Sequence, residues 1–183
     1  MVMKWFEEEV PYVGHVLSKD GLKPVPEKIR ALQEMHSPQN TKEVKSFLGF
    51  IQYLAKFMPN MASESAPLRE YLEKQVAWHW DQEQETSFQK LKQMLKSSTP
   101  VLGYYDPSKP LTLTVDASSK GLGAVLFQDE KPLAYASQAL TPAQQHYAQN
   151  KKETLAIVYG AQKFHQFIYG RPTSQTTNHC STS

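Results

Sequence analysis

The chain has 183 residues, enough for one ordinary domain or two small ones. Its content of 40% hydrophobic and 11% aromatic residues supports a packed core and excludes global disorder. The 20 basic and 18 acidic side chains nearly balance. Because nucleic-acid binding depends on a local basic face, this balance neither supports nor excludes it.

The cysteine count and the length of the apolar runs exclude two further classes of protein. A single cysteine, Cys180, excludes an intrachain disulfide framework and is typical of a reducing compartment. No apolar run approaches the roughly 20 residues that a membrane helix needs, and the N-terminus has no secretory hydrophobic region. We therefore expect a soluble intracellular protein, in the cytoplasm or the nucleus, with no membrane partner.

The first part of the chain predicts a hairpin and then helices. Residues 1–24 carry β-branched and aromatic residues and a Lys-Asp-Gly turn signal, which favour a short hairpin. Residues 25–77 are predicted to be helical, with Pro26 in a first turn and Thr41 as the N-cap of the next helix. Pro59 is expected to end that helix. Its apolar residues have the spacing of a one-faced amphipathic helix: Val44, Phe47, Leu48, Ile51, Leu54, Ala55 and Met58.

The middle of the chain predicts a short helix, a connecting helix and a linker. The short helix is expected over residues 63–74. In residues 78–106, Asp81 and Gln84 fit a capping box, and Phe88, Leu91 and Leu95 follow on one helical face. Residues 97–110 contain three prolines, so we expect the domain boundary there.

After this linker the pattern changes to strands. From Leu111 apolar and polar residues alternate, and two further apolar segments predict an antiparallel meander. Thr141 to Gln144 combine an N-cap, a first-turn proline and a capping-box glutamine, so a long helix is predicted to about Phe167. The Ser/Thr-rich tail of residues 171–183 is not expected to form a buried strand.

Asp116 is the first candidate site residue, because it ends the first strand of the meander. A carboxylate there can be packed from behind while its oxygens face a cation. Gly121 and Gly123 let the returning strand or a ligand come close. An aspartate after a strand is more often a cap or turn residue, so both interpretations stay open.

Glu153, on the predicted long helix, is the second candidate. It shares a strip with residues expected to pack on the sheet: Ala156, Ile157, Gly160 and Phe164. An unpaired charge carried inwards is costly, and a cation shared with Asp116 would relieve that cost. The alternative is an exposed glutamate that pairs with Lys151 or Lys152. No metal-site histidine spacing, phosphate loop or nucleophile motif competes with these two carboxylates.

Taken in order, these segments resemble the Pol polyprotein of gypsy-type LTR retrotransposons and their retroviral relatives. The resemblance is carried by VPYVGHVLSKDG, TKEVKSFLGFIQYLAKFMPN, WHWDQEQETSFQKLKQML, LTLTVDASSKGLGAVLFQ and KKETLA. It implies the end of the reverse transcriptase palm at 1–24, the thumb at 25–77, and the connection helix and linker at 78–106. A truncated RNase H-like domain is then expected at 107–170, followed by a non-native tail at 171–183.

The implied fold is α+β: a helical thumb and connection, then a truncated RNase H-like α/β module with a three-stranded meander and a long helix. The implied activity is Mg²⁺-dependent hydrolysis of RNA in RNA–DNA hybrids, coupled to RNA-directed DNA synthesis. Two Mg²⁺ ions about 4 Å apart act in such sites, and the resemblance assigns Asp116 and Glu153 as catalytic metal ligands. Lys42, Lys45 and Lys56 are candidate contacts to a nucleic-acid duplex, although a solvated helix face explains them equally well.

The sequence departs from the family at its third carboxylate, because no Asp or Glu follows Glu153. Asn178 aligns with the family's Asp, which suggests a single substitution. Alternatively, the family-like Asp-His-Lys-Pro-Leu-Phe-Asn-Ile, read one nucleotide late with suitable codons, gives all of Thr176 to Ser183. Genomic DNA that lacks an in-frame-plus-one continuation would rule out this frame slip.

The resemblance also leaves parts of the family unmatched. Nothing in the sequence resembles the paired aspartates of the polymerase site, so the upstream palm and fingers are expected to be missing. A meander that lacks its fourth strand would have an exposed edge. We therefore expect a marginal RNase H-like module with defective activity. The alternatives are a non-catalytic module that binds nucleic acid or a subunit, and an unstable pseudogene product.

Overall fold

The computed structural model describes residues 9–72, 76–96 and 101–177. It confirms the expected α+β architecture, with a helical part followed by a second, four-stranded sheet. The first elements are β1 (Glu9–Tyr12), β2 (His15–Ser18), β3 (Gly21–Pro24), α1 (Pro26–Glu34), α2 (Thr41–Leu54), α3 (Met61–Glu64), α4 (Ala66–Arg69) and α5 (Gln82–Lys96). The following ones are β4 (Leu111–Ala117), β5 (Gly121–Gln128), β6 (Lys131–Ala139), α6 (Pro142–Gln145), α7 (Gln149–Lys163), α8 (His165–Ile168) and β7 (Thr173–Thr177).

The N-terminal strands form an antiparallel sheet in the order β1-β2-β3. The predicted Lys-Asp-Gly turn joins β2 and β3, and β1 adds a strand to that hairpin. Val13 and Gly14 connect β1 to β2, both with positive φ (44° and 76°). Positive φ at both central residues matches the right-handed twist of paired strands.

Helix α2 has the predicted apolar face, but its N-cap lies one residue earlier than expected. Asn40, rather than Thr41, is the N-cap, because its side chain accepts a hydrogen bond from the Glu43 N–H at 3.0 Å. The Glu43 carboxylate accepts in turn from the Gln39 N–H at 2.9 Å. Asparagine is among the best N-cap residues, and a glutamate three residues later completes the capping arrangement.

The helical segments end earlier than the sequence predicted. Helix α2 ends at Leu54 and continues as a 3-10 turn to Phe57, after which Met58 is extended, as expected before Pro59. The helix predicted over 63–74 is split into α3, α4 and a 3-10 turn, and residues 73–75 lie outside the described ranges. Pro67, in the first turn of α4, lacks an N–H and cannot continue α3.

The helical half has a core of large side chains from α1, α2, α4 and α5. The buried members are Leu32, Val44, Phe47, Leu48, Ile51, Leu54, Phe57, Met58, Met61, Leu68, Tyr71, Phe88, Leu91, Leu95 and Leu102. The predicted stripes of α2 and α5 both lie in this core. Half of the predicted capping box of α5 is present, since the Gln84 side-chain oxygen Oε1 accepts from the Asp81 N–H at 3.2 Å.

The described part of the predicted linker is packed between the two sheets. Leu102 is 1% exposed and exchanges two backbone hydrogen bonds with Leu22 of β3, at 2.8 and 2.9 Å. The next residue, Gly103, donates from its N–H to the Pro132 carbonyl of β6 at 2.7 Å. The linker therefore ties the N-terminal sheet to the second sheet.

The second sheet has the order β6-β5-β4-β7. Its antiparallel meander β4-β5-β6 is confirmed. The expectation of an open edge beside β4 is wrong, because β7 pairs with β4 in parallel from Leu111↔Thr173 to Val115↔Thr177. The side chains of Ser174 to Thr176 are exposed, so the tail contributes an edge strand rather than a buried one. Backbone hydrogen bonds to β4 suffice for this and need no apolar residues.

The long helix predicted from Thr141 is interrupted. The capping box at Thr141 and Gln144 is confirmed, with hydrogen bonds of 3.3 and 2.9 Å. However, α6 ends after one turn, and Ala148 is extended (ψ 151°) before α7 begins. The Gln149 side chain donates to the Ala117 carbonyl at 3.0 Å, so contact with the end of β4 sets the new helix start.

Helix α7 covers one face of the second sheet. Gly160 lies at the closest approach, where an added Cβ would be 2.9 Å from Val115 Cγ1 and 3.3 Å from Ala124 Cβ. The buried residues of this core are Leu111, Leu113, Val115, Ala117, Leu122, Ala124, Leu126, Leu133, Ala136, Leu140, Ala156 and Phe164. No helix in the described ranges is both long and apolar enough to cross a membrane.

Candidate functional site

Asp116 lies near the end of β4 and is half-buried. Its neighbours Val115 and Ala117 are buried, and Val115 lies against α7. Because side chains alternate along a strand, Asp116 is on the opposite face of the sheet, towards the helical half. There it lines a cavity of about 130 Å³, together with Asn60 and Tyr135.

Glu153 lies on α7 and is half-buried rather than exposed. The Gln149 side-chain amide donates to a Glu153 carboxylate oxygen at 3.5 Å and to the Ala117 carbonyl at 3.0 Å. Glu153 is therefore held beside the end of β4. The predicted inward strip is mostly present, but Glu153 and Ile157 are half-buried and Lys152 is buried in addition. Its buried residues are Lys152, Ala156, Gly160 and Phe164.

The two carboxylates thus lie near the same end of β4, Asp116 on the face opposite α7 and Glu153 on α7 itself. Within the described ranges, no three Asp, Glu, His or Cys residues come together in a group that could hold a metal ion. A pair of Mg²⁺ ions needs several carboxylate ligands. The described residues therefore do not fit a complete two-magnesium site.

If the tail carries a single substitution, the position of the family's third carboxylate is Asn178, directly after β7 in sequence. Thr177, the last described residue, pairs with Val115, the neighbour of Asp116. The next residue is Asn178, which lies outside the described ranges, as do the remaining tail residues to Ser183. The substitution and the frame slip therefore both stay as predictions.

Helix α2 presents an exposed polar face, which we call the α2 face. It is defined by exposed residues three or four positions apart: Lys42, Lys45, Ser46, Gly49, Gln52 and Tyr53. Two of the three predicted nucleic-acid contacts, Lys42 and Lys45, lie on it. The third, Lys56, is half-buried in the 3-10 turn, where its ammonium lies 5.2 Å from the Phe57 ring centroid. Burial lowers the pKa of Lys56.

Gly49 is the residue of the α2 face that sequence reasoning missed. An added Cβ there would have no atom within 4 Å, so no packing contact requires glycine. Glycine in a helix interior costs about 1 kcal/mol relative to alanine. An exposed mid-helix glycine with no packing reason favours close approach of a ligand to the backbone. The sequence did contain a signal for Gly49, because a glycine in the middle of a predicted helix is unfavourable and calls for a reason.

The α2 face continues onto the turn between β1 and β2. The Tyr53 hydroxyl donates to the Gly14 carbonyl, and the His15 ring stacks on Tyr53 with centroids 5.8 Å apart. Val13 in this turn is exposed and has φ of 44°, which is costly for a β-branched residue. Partial burial, and then the nearby Lys56 charge, lower the pKa of His15.

Comparison with known families now decides the classification. The family described as the RNase H-like domain found in reverse transcriptase matches residues 80–175, just over half of the chain. The chain belongs to this family. The RNase H-like match begins before α5 and extends into β7, so it takes in the connecting helix as well as the second sheet.

Longer relatives confirm the predicted resemblance to Pol polyproteins. This RNase H-like chain is 37% identical over 178 residues to the retrovirus-related Pol polyprotein from transposon gypsy of Drosophila melanogaster. It is 35% identical over 170 residues to the Transposon Tf2-3 polyprotein of Schizosaccharomyces pombe. These alignments cover 91% and 90% of the chain but span 17% and 13% of the two relatives.

Solved structures show the same fold. The foamy viral protease-reverse transcriptase in complex with RNA/DNA hybrid superposes with a TM-score of 0.81 at 22% identity, over 96% of this chain and 24% of that one. The same viral protein in complex with dsDNA gives a TM-score of 0.80 at 22% identity, over 96% and 37%. The arrangement of the helical half and the RNase H-like sheet is therefore shared with a reverse transcriptase.

Proposed function

We propose that this chain is a duplex-binding part of a retrotransposon reverse transcriptase with little or no RNase H activity of its own. The observation that carries the proposal is the α2 face, which combines two exposed lysines, an exposed amide and an open glycine. Lysines at this spacing suit phosphates, and a missing Cβ lets a sugar-phosphate backbone approach the helix.

The expected partner is an RNA–DNA hybrid or another nucleic-acid duplex. Contacts from a helix face of this kind go mainly to the backbone and to 2′-hydroxyls, and they depend on duplex shape rather than on sequence. The foamy viral structures that share the fold are complexes with RNA/DNA hybrid and with dsDNA, which supports this class of partner. We also propose an intracellular location, in the cytoplasm or the nucleus, where such duplexes occur.

The proposed lack of cleavage follows from the carboxylate count. Asp116 and Glu153 are the two family ligands present, and a third is missing from the described ranges. Mg²⁺ is the ion that the family uses. With this incomplete ligand set, we propose that it does not support hydrolysis above background. The chain then acts by holding the duplex.

The binding proposal is tested by the affinity of the full chain for a labelled RNA–DNA hybrid at several salt concentrations. We expect Lys42→Gln and Lys45→Gln each to lower the salt slope by about 1, because each lysine neutralises one phosphate. Lys163→Gln, at an exposed position on α7, is the matched control and should leave the slope unchanged. Unchanged slopes in all three variants would reject the α2 face as the binding surface.

Gly49→Ala separates binding from folding. We expect it to raise the free energy of unfolding by about 0.4–1 kcal/mol, because alanine reduces the freedom of the unfolded chain and nothing obstructs its Cβ. The same methyl group should weaken hybrid binding, because it holds the backbone away from the helix. Denaturant unfolding and the binding assay measure the two effects. A stabilised variant with undiminished affinity would show that the duplex does not approach Gly49.

A further inference from the structure

The two-residue turn between β1 and β2 holds Val13 in a conformation that its side chain disfavours. Tyr12 and His15 pair across the turn, and Val13 and Gly14 between them both have positive φ. Asparagine or aspartate followed by glycine is the usual sequence of such a turn, whereas a β-branched residue is strained there. Val13 is also 77% exposed, so its own side chain does little to hold it in place. Contacts from other residues must therefore hold this turn.

The end of α2 supplies those contacts through Tyr53. The Tyr53 hydroxyl donates to the Gly14 carbonyl, 39 positions away in sequence. The fit is close, because an added Cβ at Gly14 would collide with the Tyr53 hydroxyl oxygen. The His15 ring stacks on Tyr53 at an interplanar angle of 14°, and it also lies 5.7 Å from Phe57 between ring centroids. We call the Tyr53–Gly14 bond and the stack on His15 the Tyr53 latch.

Tyr53 alone accounts for the hydrogen bonding between α2 and the N-terminal sheet in the described part of the chain. The linker also bonds to this sheet. Leu102 exchanges backbone bonds with Leu22, and the Tyr104 hydroxyl donates to the Ser18 carbonyl at 2.8 Å. These linker bonds lie towards the opposite end of β2 from the β1–β2 turn. Loss of the Tyr53 hydroxyl should therefore free the turn and leave the rest of the sheet attached.

Tyr53 belongs to the α2 face at the same time. It lies four positions after Gly49, which lies four positions after Lys45, so the three residues share one strip of the helix. Its side chain stays 42% exposed although the hydroxyl is bonded. The Tyr53 latch therefore joins the turn directly to the α2 face.

We propose that Tyr53 is a positioning residue, which holds the β1–β2 turn in the orientation that a duplex on the α2 face requires. The hydroxyl acts through Gly14 and not on a phosphate. A turn that is fixed beforehand adds no ordering cost when the duplex binds, whereas a free turn does. This role deepens the proposed function and rests on it, because the α2 face must bind a duplex for the latch to affect affinity. The attachment of the turn itself is measurable without nucleic acid.

The first measurement is hydrogen exchange of the full chain without nucleic acid. Tyr53→Phe keeps a ring against His15 and loses the bond to Gly14. We expect peptides from β1 and β2 to exchange at least about twofold faster in this variant, because the turn opens more often. Tyr169→Phe, at an exposed position just after α8, is the matched control and should exchange like the unmodified chain. Unchanged exchange in Tyr53→Phe would overturn the latch.

The second measurement is the affinity of the same proteins for a labelled RNA–DNA hybrid at several salt concentrations. We expect Tyr53→Phe to weaken binding by about two- to tenfold, the range of one net hydrogen bond. The salt slope should stay unchanged, because no phosphate contact is lost. Faster exchange with undiminished affinity would overturn the positioning role and leave the proposed function standing. Absence of hybrid binding by the unmodified chain would instead reject the proposed function, and the positioning role with it.

Val13→Asn separates positioning from direct contact. Asparagine followed by glycine favours this turn, so the turn should stay formed without the latch. In the Val13→Asn background, we expect Tyr53→Phe to change exchange and affinity by less than about twofold, because the two residues serve the same end. An equal loss of affinity in both backgrounds would mean that the Tyr53 hydroxyl contacts the duplex itself. That result would overturn the positioning role.

Discussion

The two halves of the molecule differ in what fills their cores. The helical core contains large buried side chains, among them Phe47, Phe57, Tyr71 and Phe88. The core of the RNase H-like sheet is built on leucines and four buried alanines: Ala117, Ala124, Ala136 and Ala156. Small side chains bury less apolar surface but let neighbouring elements approach closely. We therefore expect the helical half to be the more stable by itself, because the sheet is packed against α7 on one face and against residues 60–63 of the helical half on the other.

The largest effect should come from breaking the helical core. Leu91 in α5 and Leu113 in β4 are both 0% exposed. Leu→Ala at either position should lower the free energy of unfolding by about 2–5 kcal/mol. If the sheet depends on the helical half, Leu91→Ala will also speed hydrogen exchange of β4 and β5 amides, whereas Leu113→Ala will leave α2 and α5 amides largely protected.

Hydrogen exchange followed by mass spectrometry measures both variants on the same peptides. Exchange in β4 and β5 that is unaffected by Leu91→Ala would show that the sheet is stable by itself. The asymmetry between the halves would then be wrong.

A smaller effect is expected from overfilling the close contact between α7 and the sheet. Gly160→Leu places a side chain where even a Cβ would be 2.9 Å from Val115 Cγ1. Overpacking of this kind costs about 1–3 kcal/mol. Denaturant unfolding measures the loss, and Gly49→Leu at the open position on α2 is the control. Equal effects from the two leucines would mean that α7 does not approach the sheet as closely as described.

The smallest effect concerns pH and is confined to the helical half. His15 has a lowered pKa in the folded chain, so the unfolded state binds the proton first as pH falls below its ordinary value of 6.5. The free energy of unfolding should therefore decrease from about pH 6.5 downwards and should not depend on His15 above it. The groups around this ring are Tyr53, Phe57 and the Lys56 ammonium.

His15→Phe keeps an aromatic ring on Tyr53 and cannot titrate. Unfolding curves collected between pH 5 and 8 should lose the His15-dependent decrease in this variant. Amide exchange should show the effect in β1 and β2 and not in β4 and β5. A decrease of the same size in both proteins would assign the pH dependence to other groups.

Local patterns made part of this fold predictable. The stripe of α2 and the capping box at Thr141 depend on residues within a few positions of each other, and both are present. The break before α7 and the pairing of β7 depend on contacts with β4, more than 30 residues earlier in the chain. Local sequence propensity carries no information about such distant contacts. The sequence therefore predicted one uninterrupted helix after Thr141 and an open edge beside β4.

The candidate site, too, could be predicted only where local patterns determine it. The strand pattern located Asp116 correctly at the end of β4, and the resemblance paired it with Glu153. The sequence did not show that Asn60, more than 50 residues earlier, lines the same cavity as Asp116, because the two halves of the chain must pack together before these residues are neighbours. The sequence singled out Gly121 and Gly123 as positions where a strand or ligand comes close. The structure gives a steric reason for glycine there, because an added Cβ would meet Ser63 or Asn60.

The claim that this RNase H-like chain holds a duplex without cutting it is tested most directly with a labelled RNA–DNA hybrid and Mg²⁺. Binding and cleavage are recorded in the same samples for the chain and for its Asp116→Asn variant. We predict salt-sensitive binding by both proteins and the same background level of RNA products from each. Mg²⁺-dependent products that the chain generates and the Asp116→Asn variant does not would contradict this claim.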